Sequence, residues 1–361
     1  MKQSLENKYF VKQLEKWNRL HNKREMPWKG EKDPYKIWLS EIILQQTRVG
    51  QGLEYYKRFI KTFPTIQQLA KAPETKVFKL WEGLGYYTRC KNLIATAKYI
   101  SGKLKGEFPD KYEDILALKG IGPYTAAAIG SFAFSLPYAV VDGNVFRVLS
   151  RYFGIDTDIG SNDGKKLFAS LANELLDKKK PGIYNQALMD FGAMICKPQL
   201  PLCADCLLNI NCKAKQNGWV NRLPVKEKSI VKKTRWFYYI IAGYNGGLYV
   251  RKRGAGDIWE NLYEFILIEN EGALATEKIT RHEQLKKLFG KNKLEVGQVS
   301  RPYRQLLTHQ TIIGQFIRIT LNKPVSIPGY QLVKEDKINK LPFPKFIRNY
   351  LKDKNVSLNL F

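Results

Sequence analysis

Apolar residues recur at helical steps near the start of the chain, at Leu5, Tyr9, Phe10, Leu14 and Trp17, and predict an amphipathic helix over residues 5–20. A Pro-broken connection, Arg24-Glu25-Met26-Pro27-Trp28, separates it from a second helix that Asp33-Pro34 starts. That helix, PYKIWLSEIILQQTRV, has almost no polar flank, which predicts burial nearly all round, and Glu41 sits inside it. Residues 54–116 read as successive short helices parted at Phe63-Pro64, Ala72-Pro73 and Phe108-Pro109, and residues 161–195 add two more, parted at Pro181-Gly182. No strand-like alternation precedes residue 234. The expected first domain, residues 1–221, is therefore all-α. A Lys-rich linker over 222–234 follows, and then the period changes. Residues 236–242, 247–250, 262–268 and 312–321 are β-rich runs punctuated by glycine, with helical pieces near 280–289 and 344–352. The fold class expected is α+β multidomain, with an α+β module over 235–361.

Charge narrows the partners. Lys and Arg number 60 against 33 acidic residues, a net +27, of which +10 falls from Arg235 onward. Both halves are basic, so the excess is not a tail, and a polyanionic partner follows, unless it is only a solubility charge. No apolar run approaches the roughly 18 residues of a membrane span. The N-terminus, MKQSLENKYF, lacks a signal-peptide core, so an intracellular protein is expected. Four of the five cysteines cluster; Cys90 stands apart as a packing residue.

Three features could carry chemistry. A carboxylate inside an apolar helix, as Glu41 is, either pairs with a base or has a raised pKa, and a raised pKa suits a general acid near neutral pH. On the residues alone, an inward and a surface glutamate both remain open. The second is Leu118-Lys119-Gly120-Ile121-Gly122 followed by Pro123-Tyr124-Thr125, a glycine turn opening a helix. Gly120 and Gly122 can take positive φ there, and a helix N-terminus beside them is a phosphate seat. Asp142 stands 20 residues after Gly122, where an apolar run gives way to a new helix; such an aspartate is also an ordinary N-cap. The third is Cys196-x6-Cys203-x2-Cys206-x5-Cys212 in a Pro-punctuated loop, four thiols able to hold zinc or a 4Fe–4S cluster.

The glycine hairpin with its following aspartate resembles the helix-hairpin-helix DNA glycosylase superfamily. Within it, Leu39-Ser40-Glu41-Ile42-Ile43-Leu44-Gln45-Gln46-Thr47-Arg48-Val49, Gly83-Leu84-Gly85-Tyr86-Tyr87-Thr88-Arg89 and Val141-Asp142-Gly143-Asn144-Val145 resemble the adenine DNA glycosylases, the MutY family. The match is close over residues 9–222 and looser beyond. The resemblance implies that Glu41 protonates adenine and that Asp142 stabilises or captures the sugar cation, with Tyr124 and Asn144 supporting Asp142. Arg24, Trp28, Leu44 and Gln186 match positions lining the extruded-adenine pocket, although core packing explains Trp28 and Leu44 nearly as well. Gln46 and Tyr86 match side chains that fill the vacated stack.

It also implies a 4Fe–4S cluster on Cys196, Cys203, Cys206 and Cys212, since the uneven spacing is that of the glycosylase cluster loop. The C-terminal module resembles a Nudix-like recognition domain, but no glutamate-rich box for pyrophosphate hydrolysis is visible. There Leu307-Thr308-His309 stands where the family has Phe-Ser-His, so Thr308 and His309 are the groups left to probe the opposite base. Endonuclease III relatives carry a lysine where Tyr124 stands, which points to base removal that leaves an abasic site, with any strand nicking weak. The implied partner is duplex DNA with adenine opposite 8-oxoguanine or guanine, bound by a monomer at the nucleoid. The alternatives are a thymine-mismatch or endonuclease III-like enzyme, or a DNA-binding homologue without chemistry.

Overall fold

The structure, a computed structural model, describes residues 2–227, 232–290, 292 and 294–353. Contacts between Cα atoms divide these into two compact units. One holds residues 2–71 with 92–227, and the other residues 72–91 with 232–353. Part of the expected linker, residues 228–231, lies outside the described residues.

The first unit is helical: α1 (Lys2–His21), α2 (Pro34–Leu44), α3 (Val49–Thr62) and α4 (Ile66–Lys71) precede the division. Next come α5 (Glu74–Trp81), in the second unit, and α6 (Tyr87–Lys103), whose first residues count with that unit. The helices α7 (Tyr112–Leu116), α8 (Pro123–Ala133), α9 (Gly143–Phe153), α10 (Asn162–Leu175), α11 (Pro181–Met194) and α12 (Lys213–Gln216) complete the first. Phe10, Leu14 and Trp17 of α1 pack with Val148, Leu149 and Tyr152 of α9 and Leu188 and Phe191 of α11, all buried. The strong amphipathicity of α9 comes from these inward residues.

Helix α2 is buried from Ile37 to Ile43, Ser40 and Glu41 included, and packs on α8 and α3. Asp33 caps it, accepting from the Tyr35 amide at 2.9 Å, and Pro34 fills its first turn. The expected helix continued through Val49; it ends instead at Leu44. Gln45 is extended and Gln46 is left-handed at φ 55°, so α3 starts afresh. Trp38, Ile42, Val49 and Leu53 keep one helical phase across the polar Gln45–Arg48 join, so periodicity does not reveal the break.

The second unit is a mixed sheet. The strands are β1 (Lys233–Tyr244), β2 (Gly247–Lys252), β3 (Tyr263–Glu264), β4 (Ile266–Asn270), β5 (Leu294–Val299), β6 (Tyr303–Leu306), β7 (Gln310–Leu321) and β8 (Gln331–Lys334). They order as β3-β2-β1-β7-β5, with β4 on β1, β6 on β7 and β8 on β2. The central pair β1 and β7 is parallel, from Lys233 opposite Gln310 to Gly243 opposite Thr320. Alternation sends Tyr238, Ile240, Ile317 and Ile319 to one core, where Ile279 of α13 (Thr276–Thr280) and Leu285 and Phe289 of α14 (Glu283–Phe289) meet them. Two short helices follow, α15 (Glu335–Ile338) and α16 (Lys345–Leu351). On the opposite face Tyr239 and Phe316 stack, and Phe346 and Tyr350 of α16 pack against Phe316. The strands β5, β6 and β8 were not legible in the sequence, because exposed positions interrupt their apolar pattern.

Candidate active site

Glu41 is inward-facing. Its side chain is buried, and the Tyr124 hydroxyl of α8 donates to its Oε2 at 2.7 Å. Burial drives its pKa up to about 7; the tyrosine bond opposes this and the charge of Asp142 adds to it. Asp142 is the N-cap of α9. Its Oδ1 accepts from the backbone amides of Asn144 and Val145, both at 2.8 Å, and its Oδ2 from Asn144 Nδ2 at 2.7 Å. The N-cap role and a catalytic one thus coincide. These bonds lower the pKa of Asp142, while burial raises it, and the net direction is upward. The Tyr124 hydroxyl bonds Glu41, and Tyr124 also lies within electrostatic reach of Asp142.

Glu41 also lines a cavity of about 190 Å³ with Trp28, Ser40, Phe132, Ile183 and Gln186. That is roughly six water volumes, the scale of one purine. Trp28 is buried, its ring edge-on to Tyr56 at 5.2 Å between centroids, so it packs and lines at once. Arg24 and Leu44 are not among the cavity's lining residues. Arg24 Nη1 instead lies 2.8 Å from Asp190 Oδ1, an oxygen that also accepts from Gln186 Nε2 at 3.0 Å. Leu44 packs toward Gly52 instead, where even an added Cβ would come within 2.8 Å of its Cδ2.

At the hairpin, Gly120 has φ 79°, and a Cβ there would fall 2.6 Å from that of Asn92. Gly122 corrects the expectation: at φ −101° and ψ 177° it is the extended N-cap of α8, with no positive φ. Gln46 is exposed on the first unit. Tyr86, at φ 48° and 46% exposed, belongs to the second unit. Gln46 and Tyr86 are two of eight non-glycine residues at positive φ among the described residues. In the second unit Tyr86 Oη lies 2.9 Å from Thr308 Oγ1, and the Arg89 guanidinium stands 5.3 Å from the Tyr86 ring centre. Thr308 and His309 form the exposed tip of the hairpin between β6 and β7.

The four clustered cysteines lie within one another's electrostatic reach. Burial raises the thiols of Cys196, Cys212 and Cys206, the last to about 12, and nearby thiols add to each shift. Cys196, Cys206 and Cys212 pack against the helical core, and Arg151 Nη1 lies 3.5 Å from Cys196 Sγ. Among the described residues no three His, Cys, Asp or Glu side chains converge on a single ion. Cys90 is fully buried in the other unit.

Residues 39–176 match the HhH-GPD superfamily of base excision DNA repair proteins, and residues 237–353 match the NUDIX domain. The adenine DNA glycosylase of Buchnera aphidicola subsp. Baizongia pistaciae is 34% identical over 87% of each chain. This chain belongs to the adenine DNA glycosylase family. The adenine DNA glycosylase of Homo sapiens is 40% identical over 54% of this chain and 37% of its own. Among solved structures, a thermostable thymine-DNA glycosylase aligns at TM-score 0.56 and 30% identity, covering 60% of this chain and 99% of that one. A trapped endonuclease III–DNA intermediate aligns at 0.51 and 20%, which shows the fold alone. For an adenine DNA glycosylase family member, three site residues escaped the sequence reading. Asp190 lies one helical turn past Gln186, and Gly192 lies two residues further along α11. Arg147 donates through Nη2 to Asn144 Oδ1 at 2.8 Å and through Nε to the Cys196 carbonyl at 2.6 Å. A charged residue on the inward stripe of α9 was the available signal for Arg147; Asp190, in the apolar run Ala187–Met194, offered the same signal.

Proposed function

We propose that the chain hydrolyses the N-glycosidic bond of adenine mispaired with 8-oxoguanine or guanine in duplex DNA and leaves an abasic site. One observation carries this: Glu41, buried at a purine-sized cavity and raised to about 7, beside an Asp142 anchored by three N–H bonds. A departing purine anion is a poor leaving group until a ring nitrogen is protonated, and a half-protonated Glu41 supplies that proton at neutral pH. The sugar left behind carries oxocarbenium charge, which Asp142 stabilises or captures, as in two-carboxylate glycoside hydrolysis. Glu41, then ionised, accepts a proton from the attacking water. Extrusion of the adenosine from the stack precedes both steps. Tyr124 cannot form the Schiff base that a lysine there would, so base removal is the main reaction and any strand nicking is weak.

Cys196, Cys203, Cys206 and Cys212 would hold a 4Fe–4S cluster. Four soft thiols in mutual electrostatic reach, flanked by Arg147 and Arg151, fit a group that offers a separate iron to each sulfur. The cluster would brace the loop; bond cleavage runs on Glu41 and Asp142. Thr308 and His309 would test the opposite base, and the protein would act as a monomer at the nucleoid.

Single-turnover base release on duplexes with adenine opposite 8-oxoguanine, guanine or thymine, beside thymine opposite guanine, tests the assignment. Fast release is expected from the first two. Release from the thymine–guanine duplex alone would transfer the chain to the chemistry named for its thymine-DNA glycosylase neighbour.

A further inference from the structure

Asp190 is fully buried on α11, yet four donors converge on it. Arg24 Nη1 and Gln186 Nε2 reach Oδ1 at 2.8 and 3.0 Å, and Asn22 Nδ2 and Lys29 Nζ reach Oδ2 at 3.0 and 3.1 Å. A carboxylate flanked by two cations carries acceptors only. The amide of Gln186 must therefore turn its nitrogen toward Asp190, and the carbonyl Oε1 becomes the end left for whatever fills the cavity that Gln186 lines. Without a fixed acceptor behind it, an amide presents donor or acceptor with little preference.

We propose that Asp190 is a positioning residue for base selection: it orients Gln186 so that the cavity accepts a hydrogen bond from an exocyclic amino group and rejects a carbonyl in the same place. This rests on the adenine assignment and adds to it the group that sets the discrimination. Adenine carries an amino group at C6, whereas hypoxanthine carries a carbonyl there and keeps the same N7, so the pair isolates this contact. A carbonyl facing Gln186 Oε1 pairs two acceptors in a desolvated site, the arrangement by which polar sites reject near-isosteres.

The test measures single-turnover release of adenine and of hypoxanthine, each opposite 8-oxoguanine, and takes their ratio. Asp190→Leu keeps the approximate volume but removes both acceptors, and the preference for adenine should fall by about tenfold. Asp190→Asn keeps one oxygen for Gln186 and should retain the preference to within about threefold. Gln186→Met should lose as much as Asp190→Leu, and the double variant no more than either, because both act through one contact.

Asp190→Leu slowing both substrates equally would overturn the proposal, as would Asp190→Asn losing as much as Asp190→Leu. A second measurement needs no variant: with isotope-labelled glutamine side chains, the Gln186 amide protons should exchange slowly in the wild-type protein. Exchange at the rate of an exposed amide would overturn it even if Asp190→Leu fails to fold. Failure of the wild type to release adenine at all would defeat the functional assignment instead, a distinguishable result.

Discussion

At the scale of single residues, the site turns on one buried carboxyl group. Its folded pKa of about 7 lies above the 4.5 of an ordinary glutamate. Glu41 therefore contributes full stability below about pH 4.5, and that contribution is lost as pH rises through 7. Glu41→Gln has no such loss. Relative to wild type, its stability in denaturant should improve between pH 4 and pH 8 by the order of 3 kcal/mol, since each pKa unit is worth about 1.4 kcal/mol. The same substitution should cut base release by at least about 10²-fold, the usual weight of general acid–base catalysis, with duplex binding kept.

Tyr124→Phe separates the hydroxyl from the ring. Its bond favours the ionised form of Glu41, so its loss should move the alkaline limb of the pH–rate profile to higher pH. A shift to lower pH would mean that the hydroxyl serves another group.

At the scale of elements, α9 and α11 approach closely enough to exclude a methyl group. A Cβ on Gly192 would lie 2.7 Å from Asn144 Cβ and 2.9 Å from its backbone oxygen. Asn144 is also the residue that holds Asp142, and Arg147 Nη2 ties the two helices by donating to the Gly192 carbonyl at 2.7 Å. Gly192→Ala should therefore displace the start of α9, costing about 1–3 kcal/mol of stability as overpacking does, and slow base release. Thermal unfolding alongside single-turnover kinetics checks both, and unchanged kinetics in a destabilised variant would show that Asp142 does not depend on this contact. In the cysteine loop, anaerobically purified protein should be yellow-brown with about four irons per chain; stoichiometric zinc would exclude the cluster.

At the scale of the whole molecule, a charge of +27 spread over both halves makes binding to DNA a matter of counterion release. With about six phosphate contacts, duplex affinity should fall by about 10³-fold between 50 and 200 mM salt, measurable by fluorescence anisotropy. Recognition of the opposite base would belong to the second unit, where the Thr308–His309 tip and Tyr86 meet. His309→Ala should then weaken the preference for 8-oxoguanine over guanine by about 1–3 kcal/mol, the worth of one good base contact, and leave the chemical step on a bound guanine mispair less affected. Unchanged discrimination would give the tip another role.

The order of residues alone carries what depends on local periodicity and composition. It contained the helical first part, the switch to strands near residue 234, the burial of α2 around Glu41, and the Pro- and Gly-marked joins. It also held the residue types for two carboxylate roles and a thiol cluster. Other features lay beyond it because they depend on contacts between residues far apart in the chain. Residues 72–91, part of the helical run by pattern, pack in the unit built by the sheet. The hydroxyl of Tyr124 turned to Glu41, 83 positions away, and burial overcame three hydrogen bonds at Asp142. Asp190 and Gly192 looked like ordinary members of an apolar helix until Arg24 and Asn144 were brought against them. Hydrophobic spacing encodes which side of a helix turns inward; only packing decides which other helix it meets, and so which charges and donors share a low-dielectric site.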